Sequence, residues 1–269
     1  MKKGFTLAEL LGVILLLSVI SLIVIPTIDK QLKEGRQELY DKQISLIKSG
    51  VSLFESDYKL NDNERIRITL SQLKSLGYVE HDITNPITKE IFPNDAIIEI
   101  TNDNYNIDVT GDNIKDYNSL PTITLNGNVV EFLELGSTYI EKEAQAKYNN
   151  EVIDNITISG GVDNLVVGSN YITYTVDYNG FSNKVIRTIL VRDTKAPTIN
   201  FNTDLTISLN QTSTYDFKKD VTVEDASEIE SFEVKTNFID KKGIYSIKYV
   251  ATDIYGNTTT KNRKVIVTS

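Results

Sequence analysis

The hydrophobic pattern of this 269-residue chain changes period twice. From Phe5 to Ile25 it is a nearly unbroken apolar run, 16 residues of 21, interrupted by Thr6, Glu9, Gly12, Ser18 and Ser21. That is long enough to cross a bilayer as a helix. Apolar positions then recur at Tyr40, Ile44, Ile47, Val51, Phe54 and Tyr58, in steps of three and four. This spacing puts one stripe along a helix that faces a partner surface. With Leu32 and Leu39 ahead of the stripe, one helix over 5–58 would be about 80 Å long at 1.5 Å per residue. Beyond residue 95 the period falls to two, in short runs such as "NYITYTVDY" and "IYSIKYVAT", the mark of strands with one buried face.

Three details of the first run do not suit a plain signal anchor. The charged head is only "MKKG". Glu9 stands near the membrane edge, where an ionisable group costs a few kcal/mol unless it is paired or snorkels. Pro26 removes a helical hydrogen bond and is expected to kink the helix as it leaves the apolar zone. A secretory signal would show a shorter apolar core and a small-x-small cleavage site, and "SLIVIPTIDK" has none. Lys2 and Lys3 favour an N-terminus held inside.

Together Gly4, Phe5, Thr6, Leu7, Glu9 and Pro26 resemble the type IV prepilin signature, which is shared with the pseudopilins of type II secretion and competence. The resemblance implies cleavage by a prepilin peptidase between Gly4 and Phe5 and N-methylation of Phe5. It also implies retention of the apolar helix as a filament core. The cut would place a free Phe5 ammonium four residues from the Glu9 carboxylate. In a stack of helices, Glu9 of one subunit could then meet Phe5 of the next, a pairing that counts for more in a low dielectric and that sets register.

After the stripe, "TLSQLKSLGY" predicts a capped short helix ending at Gly77. "NPITKEIF" predicts a turn entering a strand, and "AIIEITNDNYNIDV" a hairpin. This order resembles the globular part of Gram-positive pilins. The polar run from Asp112 to Ser119 is linker-like. From Pro121 an internal repeat of 76 residues begins: Pro121 and Pro197, Asp177 and Asp253, Gly180 and Gly256, Arg187 and Arg263. Short strands and evenly spaced turns in each copy predict a small β-sandwich. The copies, with "RDTKAPTI" at their junction, resemble bacterial Ig-like surface repeats, which implies an extended rod or adhesive module without chemistry.

Composition narrows the chemistry. The net charge is −9, with no basic segment: residues 1–119 carry 13 Lys and Arg against 18 Asp and Glu. A nucleic-acid partner is not expected. No cysteine is present, so thiol catalysis, disulfides and zinc–thiolate sites are excluded. No nucleophile elbow, HExxH, P-loop or dinucleotide fingerprint occurs, so no catalytic residue and no enzyme is expected. The one histidine, His81, falls in a loop, and the carboxylate pairs Glu141/Glu143 and Glu224/Asp225 read as solvated faces. Asp193, Asp225 and Asp253 lie near junctions or turns, but the dense acidic loop of a calcium site is missing and such aspartates usually cap their own backbone. No metal and no cofactor are expected. "LPTIT" at 120–124 lacks the rest of a sortase signal.

The expected fold is α+β: a long N-terminal pilin helix with a small α+β head, followed by two all-β Ig-like sandwiches. The divisions are a leader at 1–4, a membrane and filament-core helix at 5–28, the pilin-like helix and head at 29–118, and Ig-like domains at 119–193 and 194–269. The expected function is that of a structural subunit, minor in abundance, of a type IV pilin-like filament. It would be a single-pass cytoplasmic-membrane protein before assembly and part of a cell-surface filament afterwards. Its partners would be other pilin subunits through the helix, the prepilin peptidase, the assembly platform, the membrane, and a host or surface ligand for the Ig-like domains. A secretion or competence pseudopilin, and an anchored Ig-like adhesin that never assembles, are the alternatives.

Overall fold

A computed structural model describes residues 6–102, 104–111, 118, 120–237 and 241–269, without the side chain of Ile23. The first element, α1 (Leu7–Glu55), runs 49 residues with Pro26 inside it. Three short strands and a six-residue helix pack on its C-terminal third: β1 (Arg65–Thr69), α2 (Leu70–Ser75), β2 (Ile97–Thr101) and β3 (Tyr105–Asp108). The strands form an antiparallel sheet in the order β1-β2-β3, so the expected hairpin is β2–β3. Ile47, Val51 and Phe54 of α1 are buried against Ile66, Ile68, Leu73, Phe92 and Ile98, while Tyr40, Ile44 and Tyr58 pack around them. The stripe is therefore the floor of the head core, and each fully buried side chain contributes about 1.5–3 kcal/mol.

Local signals place the smaller elements. Thr69 caps α2 with its side chain, Gln72 closes the capping box, and Gly77 at φ +81° ends the segment. "NPITKEIF" is a turn with a single bridge between Thr84 and Ile91 and no named strand, which corrects the expectation. The Asn85 side chain and backbone absorb the hydrogen bonds of that segment instead. The expected linker from Asp112 to Ser119 lies outside the described residues, Asn118 excepted.

Each repeat builds two facing sheets. The first copy contains β4 (Thr122–Leu125), β5 (Val130–Glu134), β6 (Ala144–Tyr148), β7 (Glu151–Ile153), β8 (Ile156–Gly160), β9 (Gly168–Tyr178) and β10 (Phe181–Arg192). The sheet β5-β10-β9-β8 closes over β4-β6-β7, with Ile123, Ala146, Ile172, Tyr174, Val176, Val185 and Ile189 between them. The second copy contains β11 (Thr198–Asn200), β12 (Leu205–Ser208), β13 (Thr222–Glu224), β14 (Ile229–Thr236), β15 (Gly243–Asp253) and β16 (Thr258–Thr268). Its sheet order β12-β16-β15-β14 repeats that of the first copy, including one parallel pair, β5 with β10 and β12 with β16.

The repeat is less regular than its sequence. Arg187 pairs with Ile172 across the first hairpin, whereas Arg263 pairs with Ile247 across the second, so the second hairpin is one residue longer. Asp177 is consequently an exposed strand residue and Asp253 a buried one, and the two are not equivalent. The arginines are buried in both copies, but among the described residues only Arg187 has a counter-ion: Glu141 Oε1 lies 2.6 Å from its Nη1, and the Tyr174 hydroxyl donates to the same oxygen. Glu141 is thus the partner of a buried charge, and the solvated-face reading fails for it. Arg263 instead donates from Nε to the Thr203 carbonyl at 2.7 Å.

The head docks on the outer face of the first sandwich. Strand β10 is buried almost continuously from Asn183 to Val191. Val185, Ile189 and their alternates face its own core, while Leu190 joins the head core. Edge strand β1 meets this face through hydroxyls: Arg65 N donates to Ser169 Oγ at 2.7 Å and Arg67 N to Thr188 Oγ1 at 3.1 Å. Thr188 Oγ1 donates back to the Arg67 carbonyl at 3.2 Å. Gln72 completes a two-bond clamp on Ile186, donating to its carbonyl and accepting from its N–H, both at 2.8 Å. An edge strand that would otherwise offer unpaired groups is satisfied by another domain's side chains.

Glu64 and Arg192 seal this interface with a bidentate pair at 2.6 Å on both oxygens, and Glu64 is 1% exposed. Burial alone would raise the Glu64 carboxyl, but Arg192 and the Asn61 N–H outweigh it and hold the group below 4.5. Because the folded value is depressed, the pair's contribution is present above pH 4.5 and is lost as pH falls through the folded value. Glu64→Ala is expected to cost about 2–4 kcal/mol in denaturant unfolding at neutral pH, since it leaves Arg192 unpaired at a largely buried site. Glu34→Ala, which removes an exposed helix pair with Lys30, is expected to cost under about 0.5 kcal/mol in the same measurement.

Candidate assembly surface

The N-terminus of α1 is held by its own sequence. Thr6 is the N-cap, and Glu9, three residues on, closes a capping box. Glu9 Oε2 accepts from Thr6 N at 2.9 Å and Thr6 Oγ1 at 2.8 Å, while Glu9 N donates to Thr6 Oγ1 at 3.3 Å. A negative charge in the first turn also suits the helix dipole. Thr6, present in the sequence as part of the signature, thus has a physical role of its own. Gly4 and Phe5 lie outside the described residues, and so does the expected Phe5–Glu9 pairing. Among the described residues Glu9 Oε1 accepts no hydrogen bond, so the local cap leaves it one oxygen for another donor.

Past the cap, α1 contains the one helix segment among the described residues that is long and apolar enough to cross a membrane, with a mean hydropathy of 2.8 and none of it buried. Its polar breaks satisfy themselves. Ser18 Oγ donates to the Ile14 carbonyl at 2.7 Å and Ser21 Oγ to the Leu17 carbonyl at 2.8 Å, so neither hydroxyl is stranded in an apolar setting. Pro26 has no N–H to offer the preceding turn.

A second apolar row runs beside the head-facing stripe. Leu32, Leu39, Leu46 and Leu53 recur every seven residues, and all are more than half exposed. The row extends back through Ile25 and Leu11 into the membrane segment, again more than half exposed, with Ser18 between them. Leu39, Leu46 and Leu53 stand one residue before Tyr40, Ile47 and Phe54, about 100° around the helix from the head. Leu32 and Leu39, which precede the head stripe in sequence, belong to this other flank. A heptad of leucines in the sequence was the available signal. Such a row is the pattern by which one helix packs on another.

The histidine and the carboxylate pairs singled out in the sequence lie apart from this surface. His81 is exposed in a turn, and Glu143 is exposed on the first sandwich, where its N–H donates to Glu141. Glu224 ends β13 in the open, while the adjacent Asp225 is half-buried at the junction of the two sandwiches.

The architecture is that of a type IV pilin-like protein carrying Ig-like domains. Residues 123–191 match the family described as bacterial surface protein, Ig-like domain. The chain belongs to the ComGC family of competence proteins. It is 32% identical over 90 residues to the competence protein ComGC of Bacillus subtilis (strain 168), a match covering 34% of this chain and 87% of that one. It is 30% identical over 80 residues to ComGC of Halalkalibacterium halodurans, covering 30% and 74%. About two thirds of this chain therefore lies outside the ComGC match. Among solved structures, the lipoprotein BT2262 of Bacteroides thetaiotaomicron gives a TM-score of 0.26 at 15% identity, over 54% of this chain and 99% of that one, a likeness too slight to carry weight.

The two rows of α1 are expected to separate in a stability measurement. Leu46→Ala should change the unfolding free energy of the detergent-solubilised chain by less than about 0.5 kcal/mol. The adjacent Ile47→Ala, which empties a fully buried position, should cost about 2–5 kcal/mol.

Proposed function

We propose that this protein is a peptidase-processed pseudopilin whose exposed α1 flank packs against α1 of neighbouring copies, and whose Ig-like pair is displayed outside the shaft. The observation that carries the reading is the seven-residue leucine row, continuous with the membrane segment and left uncovered by the head. In the bilayer the row is solvated by lipid. On extraction it needs another apolar surface, and a neighbouring α1 supplies one in register.

Cleavage between Gly4 and Phe5 would free the Phe5 amine next to the capped turn. Glu9 then has two sets of donors, the Thr6 cap within its own chain and the Phe5 ammonium of the adjoining subunit. The second adds a charge pair in a low-dielectric bundle and fixes the axial step between subunits. The relatives' designation as competence proteins supports a competence-type machine over a secretion system. The net charge of −9 favours a structural role over DNA binding.

The Ig-like surface match supports a second reading, a minor subunit of a surface filament that presents the sandwiches to a host or surface ligand. The mass added to each subunit favours low abundance in either filament. Membrane insertion comes first and filament entry second, so the two steps are separable by mutation.

The expected outcome is that Leu39→Glu/Leu46→Glu accumulates in the membrane at normal levels and is absent from sheared filaments. Glu9→Ala is expected to be cleaved normally and to fall at least ~10-fold in the sheared fraction, the equivalent of about 1.4 kcal/mol. Mass spectrometry of native material should give a methylated Phe5 as first residue. An intact Met1, or normal filament content of the double variant, contradicts the proposal.

A further inference from the structure

Three aspartates from separate parts of the chain converge where the two sandwiches meet. Asp193 follows β10 and opens the connection between the copies, Asp225 follows β13, and Asp253 ends β15. One carboxylate oxygen from each lies within 4.8 Å of the other two. Their turn-capping roles are real: Asp225 Oδ1 accepts from Ala226 N at 2.8 Å, and Asp253 Oδ1 accepts from Tyr255 N at 2.8 Å and Asn257 N at 2.9 Å. Asp225 Oδ2 accepts from Ser227 Oγ at 3.2 Å and Asp253 Oδ2 from Asn257 Nδ2 at 2.8 Å. Capping accounts for where these two acids sit. It does not account for three negative charges in one place.

Asp193 is the group that capping does not explain. It is 9% exposed, its Oδ1 takes only the Lys195 N–H at 3.2 Å, and its Oδ2 is buried with no hydrogen-bond partner. An acceptor taken from water and left unmatched is costly, and a charged one more so. Among the described residues, no lysine or arginine forms an ion pair with any of the three.

We infer that Asp193, Asp225 and Asp253 bind a divalent cation of the calcium class at the junction of the Ig-like copies. The donors are all hard carboxylate oxygens, with no histidine or cysteine, a set suited to calcium, magnesium or manganese and not to zinc or copper. Calcium takes six to eight oxygens, of which the three carboxylates would supply the protein's charged share. Thr194 also donates N and Oγ1 to Glu134 at 3.0 and 2.7 Å, and Asn257 Nδ2 reaches the Asp193 carbonyl at 3.2 Å. The ion therefore joins a polar junction already bridging both copies. Arg192, the preceding residue, is tied to Glu64 of the head. Through this one dipeptide the cation would lock the second sandwich to a unit formed by the head and the first.

The test is calorimetric titration of the full chain in detergent with CaCl₂ and MgCl₂, with thermal unfolding in CaCl₂ and in EDTA. One calcium per chain is expected, with Kd of ~10⁻⁴–10⁻³ M, the range of extracellular modules, and a higher unfolding temperature in calcium. Asp225→Asn keeps the Ala226 bond through its amide oxygen and should weaken calcium binding at least ~10-fold while unfolding at the wild-type temperature in EDTA. Should that variant misfold, Asp193→Asn replaces it with the same expectation. No heat and no thermal shift up to about 10 mM calcium, or a folded variant that binds as tightly as the parent, overturns the proposal.

Discussion

A helix with apolar surface on two flanks cannot satisfy both within one small head, and α1 covers only one. Ile47, Val51 and Phe54 disappear into the head core, while Leu32, Leu39, Leu46 and Leu53 stay in the open a quarter-turn away. The first set folds the chain. The second has no partner among the described residues, yet it continues into the membrane segment without a change of phase, apart from Ser18. The same uncovered surface can then face lipid before assembly and a neighbouring helix after it.

A comparable division governs β10. Strands of antiparallel sheets commonly alternate between a core face and a wet face, but β10 is buried on both. One face closes the first sandwich and the other receives β1, Gln72 and Glu64 of the head. Polar groups specify this contact: hydroxyls meet the β1 edge, an amide clamps Ile186, and one ion pair seals the end. The first sandwich is thus fastened to the pilin-like head rather than strung from it as a free rod. Its orientation relative to α1 is part of the fold.

The sequence was informative wherever a local rule decided the structure. The apolar run, the head-facing stripe, Thr69 and Gly77 around α2, and the β2–β3 hairpin all follow from period, caps and turn residues. So do the alternating strands of both repeats. The elements that escaped depend on the partner surface. Glu141 looks like a solvated acid until Arg187 is folded against it. The long apolar stretch of β10 gives no hint that its second face belongs to the head. Asp177 and Asp253 align in sequence, but one added residue in the second hairpin turns the latter inward, towards Asp193 and Asp225. The leucine heptad from Leu32 to Leu53 is written in the sequence, but only the folded head shows which flank of the helix it leaves open.

The natural absence of cysteine allows the central claim to be tested with single labels. Leu46→Cys and, on the exposed edge of the second sandwich, Glu230→Cys would each be treated with a maleimide in sheared filaments and in detergent-solubilised subunits. The account predicts that position 46 reacts freely in the solubilised subunit and is protected in filaments, while position 230 reacts equally in both. Equal reactivity of position 46 in the two states would contradict it.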